Sequence, residues 1–380
     1  MKVAFFISLL ALTLTQAVSP EAASHFTQAK AAEARADWQA AEREYQKAIE
    51  LEPRWAEAIV NLGVVFNRQQ KTDEAIRAFT RAAEINPDLV AALLNLGITY
   101  FRAARYDQAA EALRRALRAD ASNAQARQLL SLSLIATERF EEAASELESL
   151  WATDRQNSAV LLALGESYLR LKLYDKAVLR LEELVRLTPA SAKAHLRLGE
   201  ALDNASETER AIVEFRRAIE LDPNIKEAHY ALGYALARRG DLDEAAAEFE
   251  RELTVNQDYL LAKYQLAKIH LSRGRAHEAA ELLERVIRAA PDFRPGLESL
   301  GQALLKKKDA ARAIEVLERA VKLDPNWPDV RVLLGRAYML AGRREEAQVE
   351  FAAARKLSED ERKRLEEKVS GGHTKKPARP

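Results

Sequence analysis

His195 and His229 stand 34 residues apart. Imidazoles are common zinc ligands, and a protein site needs three or four ligands that converge. No carboxylate or third histidine joins this pair at a useful spacing, so the pair reads as packing rather than ligation. His270 reads the same way, as a side chain of the helical core. Acidic pairs such as Glu141-Glu142 and Glu345-Glu346 have the groups for proton transfer. They fall at helix starts, however, where a carboxylate favours the helix dipole and stays solvated. The 380 residues include no cysteine, which excludes thiolate catalysis, disulfides and Cys-based zinc sites. H-E-x-x-H, G-x-S-x-G and phosphate-loop patterns are missing, and the glycines sit singly within helical patterns. The residues therefore point to no catalytic, cofactor or metal site, and the chain is read as not an enzyme.

The interval of 34 belongs to more than the histidines. "KAIELEPR" from Lys47, "RAAEINPD" from Arg81, "RAIELDPN" from Arg217 and "RAVKLDPN" from Arg319 restate one phrase at multiples of it. Stepping by 34 from Ala41 to Ala347 meets Ala ten times out of ten. The step from Ala29 meets Gly63, Gly97, Ser131, Gly165, Gly199, Gly233, Ala267, Gly301 and Gly335, all small. Six of ten positions in the step from Pro53 are Pro. Such a period marks a repeat architecture, and no insertion interrupts it.

Inside one period, Ala192 to Leu202 places apolar residues at helical spacing. Asp203 to Glu207 is polar and breaks the pattern, and a second amphipathic run reaches Leu221. Asp222-Pro223-Asn224 then stops it, because Pro cannot continue a helix and restricts the residue before it. Each unit is thus an antiparallel helix pair, too small to bury its own apolar face. A Gly within a helix costs about 1 kcal/mol relative to Ala. Its recurrence implies close helix approach, with large residues such as Leu198, Phe215 and Leu232 filling the space around it.

A period of 34, with a small residue eighth, Ala twentieth, an aromatic or Leu twenty-fourth and Pro thirty-second, resembles the tetratricopeptide repeat. In the segment Ala56 to Leu89 the matching residues are Leu62, Gly63, Phe66, Ala75, Phe79, Ala82 and Pro87. The resemblance covers ten repeats, residues 22–361, and implies an all-α fold, a right-handed superhelical solenoid of antiparallel helix pairs. Departures fall in the fourth repeat (Arg127, Ser131, Leu150, Arg155), the seventh (Glu252, Gln257) and the first (Gln28, fitting an atypical capping repeat). Residues 362–369 are polar and are expected to extend the last helix as a soluble cap. Residues 370–380 form a basic tail expected to be disordered.

The N-terminus addresses compartment. Lys2, an apolar run from Val3 to Leu14 and the small-x-small pattern Thr15-Gln16-Ala17 read as a signal peptide, residues 1–17, with residues 18–21 a linker. The apolar run is too short to span a bilayer, which needs about 20 residues. The chain is therefore expected to be exported, periplasmic or secreted, cleaved after Ala17 and without a membrane span thereafter. Basic and acidic residues balance at 58 each, which argues against nucleic acid or an anionic membrane as partner.

What the resemblance implies about function lies in a concave groove lined by first helices, chiefly at positions 2, 5, 6, 9, 12 and 13 of each repeat. The fifth position is apolar or aromatic in eight of ten repeats. It is either an exposed stripe or surface covered by the neighbouring repeat. Tyr230, Tyr234 and Tyr264 cluster with Arg238 and Lys268, and Tyr and Arg are enriched in binding hot spots. Asn61 and Asn95 are similar to the asparagine ladder that grips peptide backbone in some members, and Phe101 and Arg102 lie near them. The expected partner is a protein or peptide segment in the groove, which makes the chain a scaffold. A structural part in an envelope or polysaccharide-export assembly is one alternative. A non-catalytic subunit of an enzyme complex is another.

Overall fold

The computed structural model describes residues 18–371; the leader expected at 1–17 and residues 372–380 lie outside them. Two compact units divide between Leu187 and Thr188, the turn between the fifth and sixth repeats. The first unit holds α1 (Pro20–Ala34), α2 (Trp38–Leu51), α3 (Ala56–Arg68), α4 (Thr72–Ile85), α5 (Val90–Arg102), α6 (Tyr106–Ala119), α7 (Ala124–Ala136), α8 (Phe140–Thr153), α9 (Ser158–Arg170) and α10 (Tyr174–Leu187). The second holds α11 (Ala192–Asn204), α12 (Thr208–Leu221), α13 (Ala228–Arg239), α14 (Leu242–Val255), α15 (Leu260–Ser272), α16 (Ala276–Ala289), α17 (Arg294–Lys306), α18 (Ala310–Leu323), α19 (Pro328–Leu340) and α20 (Arg344–Gly371). No strand occurs among the described residues. The architecture is the all-α stack of helix pairs expected from the period.

Two local devices make each pair. The first helix ends where the N–H of the sixteenth residue bonds the carbonyl of the eleventh, as in Asp37 to Ala32 at 2.9 Å and Asp309 to Leu304 at 2.9 Å. This is the capping arrangement that needs a left-handed residue between helix and turn. That residue is the fifteenth in all ten repeats. Gly240, Gly274 and Gly342 supply it without strain, while Ala36, Gln70, Ala104, Glu138, Lys172, Ser206 and Lys308 adopt positive φ despite a Cβ. The second device is the small eighth residue. A Cβ on Gly63 would stand 2.6 Å from the Phe79 ring, and one on Gly199 would stand 2.5 Å from Phe215. Eighth and twenty-fourth residues of one repeat thus meet across its two helices, and Phe79, Phe215 and Phe249 are fully or almost fully buried there. Burying such a ring contributes about 1.5–3 kcal/mol.

The ends follow from local chemistry. Ser19 caps α1 by accepting from Ala22 N at 3.3 Å, and Pro20 suits the first helical turn. The helix therefore starts inside the segment read as a linker. At the other end α20 continues unbroken through residues 362–369. No described helix is long and apolar enough to cross a membrane.

The seventh repeat, whose sequence departs at Glu252, also departs in structure. Glu227 takes a left-handed conformation (φ 72°), and α13 starts only at Ala228. The Glu252 carboxylate, wholly buried, accepts from the N–H groups of Glu227 at 3.0 Å and Tyr230 at 3.3 Å. A buried acid where the other repeats favour Ala thus serves as the missing cap of that helix.

Candidate binding groove

Within each unit the first helices of successive repeats also touch one another: α3 with α5, α5 with α7, α11 with α13, α13 with α15, α15 with α17 and α17 with α19. They form one face of the stack, and the side chains on it are those at the groove positions. A cleft of about 390 Å³ opens there, lined by Gln302, Leu305, Lys306, Leu333 and Arg336. These are the ninth, twelfth and thirteenth residues of one repeat and the sixth and ninth of the next. Two leucines make its apolar part, while exposed Lys306 and Arg336 supply positive charge. Nearby, burial and the Asp329 carboxylate raise the Glu298 carboxyl above its ordinary range.

The fifth positions are mostly covered. Val60 and Leu196 are buried, Phe26, Leu94, Leu162, Tyr230, Tyr264 and Val332 are half-buried, and Gln128 is exposed. The three aromatic ones are covered by the last residue of the same repeat. Phe26 stacks on Trp55 at 4.5 Å, Tyr230 meets Tyr259 edge-on at 5.0 Å, and Tyr264 meets Phe293 edge-on at 5.2 Å. Each aromatic fifth residue has an aromatic thirty-fourth. Where the thirty-fourth is polar, as with Asn123, Asn157 and Ser191, it caps the next helix instead. The offset of 29 was present in the sequence as a covariation, but its meaning depends on knowing that these two positions face each other.

The tyrosine cluster therefore divides. Tyr230 and Tyr234 lie 6.2 Å apart, with Phe249 at 5.8 Å from Tyr230. Burial pushes the Tyr230 and Tyr264 hydroxyls above their ordinary range, whereas the Tyr234 side chain is 40% exposed. Lys268 stands over the Tyr264 ring at 5.6 Å, and its side chain is exposed. Arg238 is tied to the preceding repeat by an ion pair with Asp203 at 2.9 Å and a bond to the Asp203 carbonyl at 3.1 Å. At the other candidate cluster, Phe101 packs edge-on against Tyr106 at 5.5 Å, and Arg102 is exposed. Asn95 donates back to the Ala91 carbonyl of its own helix at 2.8 Å, and Asn61 is half-buried. The amide that crosses between those repeats is Asn67, which donates to Thr99 Oγ1 at 2.8 Å.

The histidines fall into a second paired position. His195 Nδ1 meets Glu214 at 2.5 Å and its Nε2 meets the Pro189 carbonyl at 3.1 Å; His229 Nδ1 meets Glu248 at 2.7 Å. The same fourth-to-twenty-third pairing joins His25 to Glu44, Arg127 to Glu146 and Arg331 to Glu350, each at 2.6 Å. These are ties between the two helices of a repeat. No group of three or more metal-ligating side chains occurs among the described residues.

Profiles of the tetratricopeptide repeat match residues 55–122, 94–159, 205–259 and 264–329, and 134–198 and 304–366. No curated protein matches the chain. Among solved structures it is similar to a chain of the Naa15/Naa10 complex bound to HypK-THB, at 16% identity and a TM-score of 0.49. That likeness covers 88% of this chain and 63% of the other. A second is MamA from Desulfovibrio magneticus RS-1, at 24% identity and a TM-score of 0.42, over 44% of this chain and 96% of that one. A third, MamA MSR-1 C2, is 28% identical with a TM-score of 0.41, over 44% and 97%.

Proposed function

Because the chain belongs to the tetratricopeptide repeat family, we propose that it is an exported, non-catalytic scaffold that holds segments of partner proteins against its first-helix face. The observation that carries this reading is the cleft at Leu305 and Leu333. All five of its lining residues are groove positions, and they combine an apolar floor with Lys306 and Arg336 at the rim. An apolar centre with a polar edge is the anatomy of a protein-binding patch. The exposed ring of Tyr234 and the cation Lys268 extend the face within the second unit, and Arg102 is exposed at a groove position of the first. Export rests on the leader 1–17.

The test is co-purification from an envelope fraction. Full-length protein is expected to retain partners that the double variant Leu305→Glu, Arg336→Glu loses, while both keep the same helical circular dichroism. Partners that stay bound to the folded double variant would move the working surface away from this cleft. Captured proteins of export machinery, or a captured enzyme, would select between the assembly and enzyme-subunit versions of the role.

A further inference from the structure

Five repeats place a basic residue fourth and a Glu twenty-third, and the two side chains meet at 2.5–2.7 Å. The eighth repeat keeps the cation, Lys263, but its twenty-third residue is Leu282. Lys263 is 8% exposed. Its ammonium makes no hydrogen bond among the described residues and stands 3.6 Å from Asp258, a side chain fully in solvent. The lysine stem is packed and its ammonium is not sealed off, as is usual for a long cationic side chain on an apolar surface.

Beside Lys263 opens a cleft of about 710 Å³ between the end of α14, the turn into α15, and the last turns of α16. Leu253, Leu260 and Leu282 give it an apolar wall, and Arg285 and Arg288 line it with Lys263. Neither arginine forms an ion pair among the described residues, and both are exposed. Three cations thus face one carboxylate, Asp258. The space is larger than one side chain fills, and it lies away from the groove positions.

We propose that this cleft binds a carboxylate of an acidic protein segment, which takes the place that a Glu of the chain's own second helix takes in the other five repeats. The neighbouring leucines receive the methylene stem or an adjacent apolar side chain, and Arg285 and Arg288 meet further acidic residues of the segment. The proposal rests on the reading of the chain as a protein-binding scaffold. It uses a separate surface, so its failure leaves the groove reading standing.

The experiment is calorimetric titration of the full-length protein with a capped peptide of alternating Glu and Leu, its Gln-for-Glu counterpart, and inorganic phosphate. The wild type is expected to bind the Glu peptide at least tenfold more tightly than the Gln peptide. Leu282→Glu, which supplies the missing carboxylate from within, is expected to weaken the Glu peptide at least tenfold, and Lys263→Met likewise. Should either variant fail to fold, Arg285→Glu with Arg288→Glu alters only exposed side chains and carries the same expectation. Equal affinity for both peptides would overturn the proposal, as would unchanged binding by folded Leu282→Glu. Phosphate displacing the peptide with higher affinity than the peptide itself would overturn it too, and make the cleft a free-anion site.

Discussion

His270 Nδ1 is buried without a hydrogen-bond partner among the described residues. The eleventh position it occupies holds aromatic or aliphatic side chains in the other repeats, such as Phe66, Tyr100 and Leu304. An unpaired buried polar group costs about 1–3 kcal/mol. Burial, with Arg275 beside it, lowers the ring's pKa below the ordinary value near 6.5. The unfolded chain therefore binds a proton that the folded chain refuses, and stability falls as pH drops below about 6.5. His270→Phe is expected to raise the urea midpoint at pH 7.5 and to flatten its decline between pH 7.5 and 5.5. An unchanged pH profile would show that the acid sensitivity arises elsewhere. At this scale the sequence was legible by position but not by pairing. The small eighth and large twenty-fourth residues announce close packing, since both recur. The meetings of fifth with thirty-fourth and fourth with twenty-third residues are legible only once the helices are placed. Tyr230 and Tyr264 thus look like free anchors in the sequence, whereas Tyr259 and Phe293 cover part of each ring.

Between the two helices of a repeat, geometry sets what substitution is tolerated. A Cβ at Gly233 would stand 2.9 Å from the Phe249 ring and 3.1 Å from the Ala245 carbonyl. Gly233→Leu must push its further atoms into these groups, at about 1–3 kcal/mol or more. Gly233→Ala gains about 1 kcal/mol of helix propensity against a small displacement of the ring, and Ala29 and Ala267 occupy the same place in other repeats. Denaturation midpoints are expected to fall sharply for Leu and to change little for Ala. Equal midpoints for the two would contradict the packing account. Arg239→Ala, at an exposed residue paired with Glu209 and Asp241, is the surface control and should leave the midpoint nearly unchanged. In the turn, Ala104 sits at φ 55°. Ala104→Gly relieves that strain and loses unfolded-state entropy advantage, so a net gain of at most about 1 kcal/mol is expected. A measured loss would mean the turn is held by contacts rather than by its backbone. Helix boundaries were readable because Pro ends second helices. The left-handed fifteenth residue was not, since seven of its ten occupants have a Cβ.

Over the whole molecule, the sequence made the ten-repeat organisation plain, while the division between Leu187 and Thr188 has no mark in an uninterrupted period. The working face is legible only as a set of positions. Its cover, its cleft at Leu305 and Leu333, and the open pocket at Lys263 depend on which neighbours are large. Export makes a separate prediction: N-terminal sequencing of exported protein is expected to start at Val18, and an intact Met1 on functional protein would contradict the leader reading. The central claim is that partners engage the first-helix face. It is tested most directly by placing a photo-crosslinking amino acid at Tyr234 or Arg336 on that face, and at Val213 or Val349 on second helices. The latter two are 63% and 65% exposed. Crosslinks to the same partner band from Tyr234 and Arg336, with none from Val213 and Val349, are the predicted result; crosslinks confined to the two valines would contradict it.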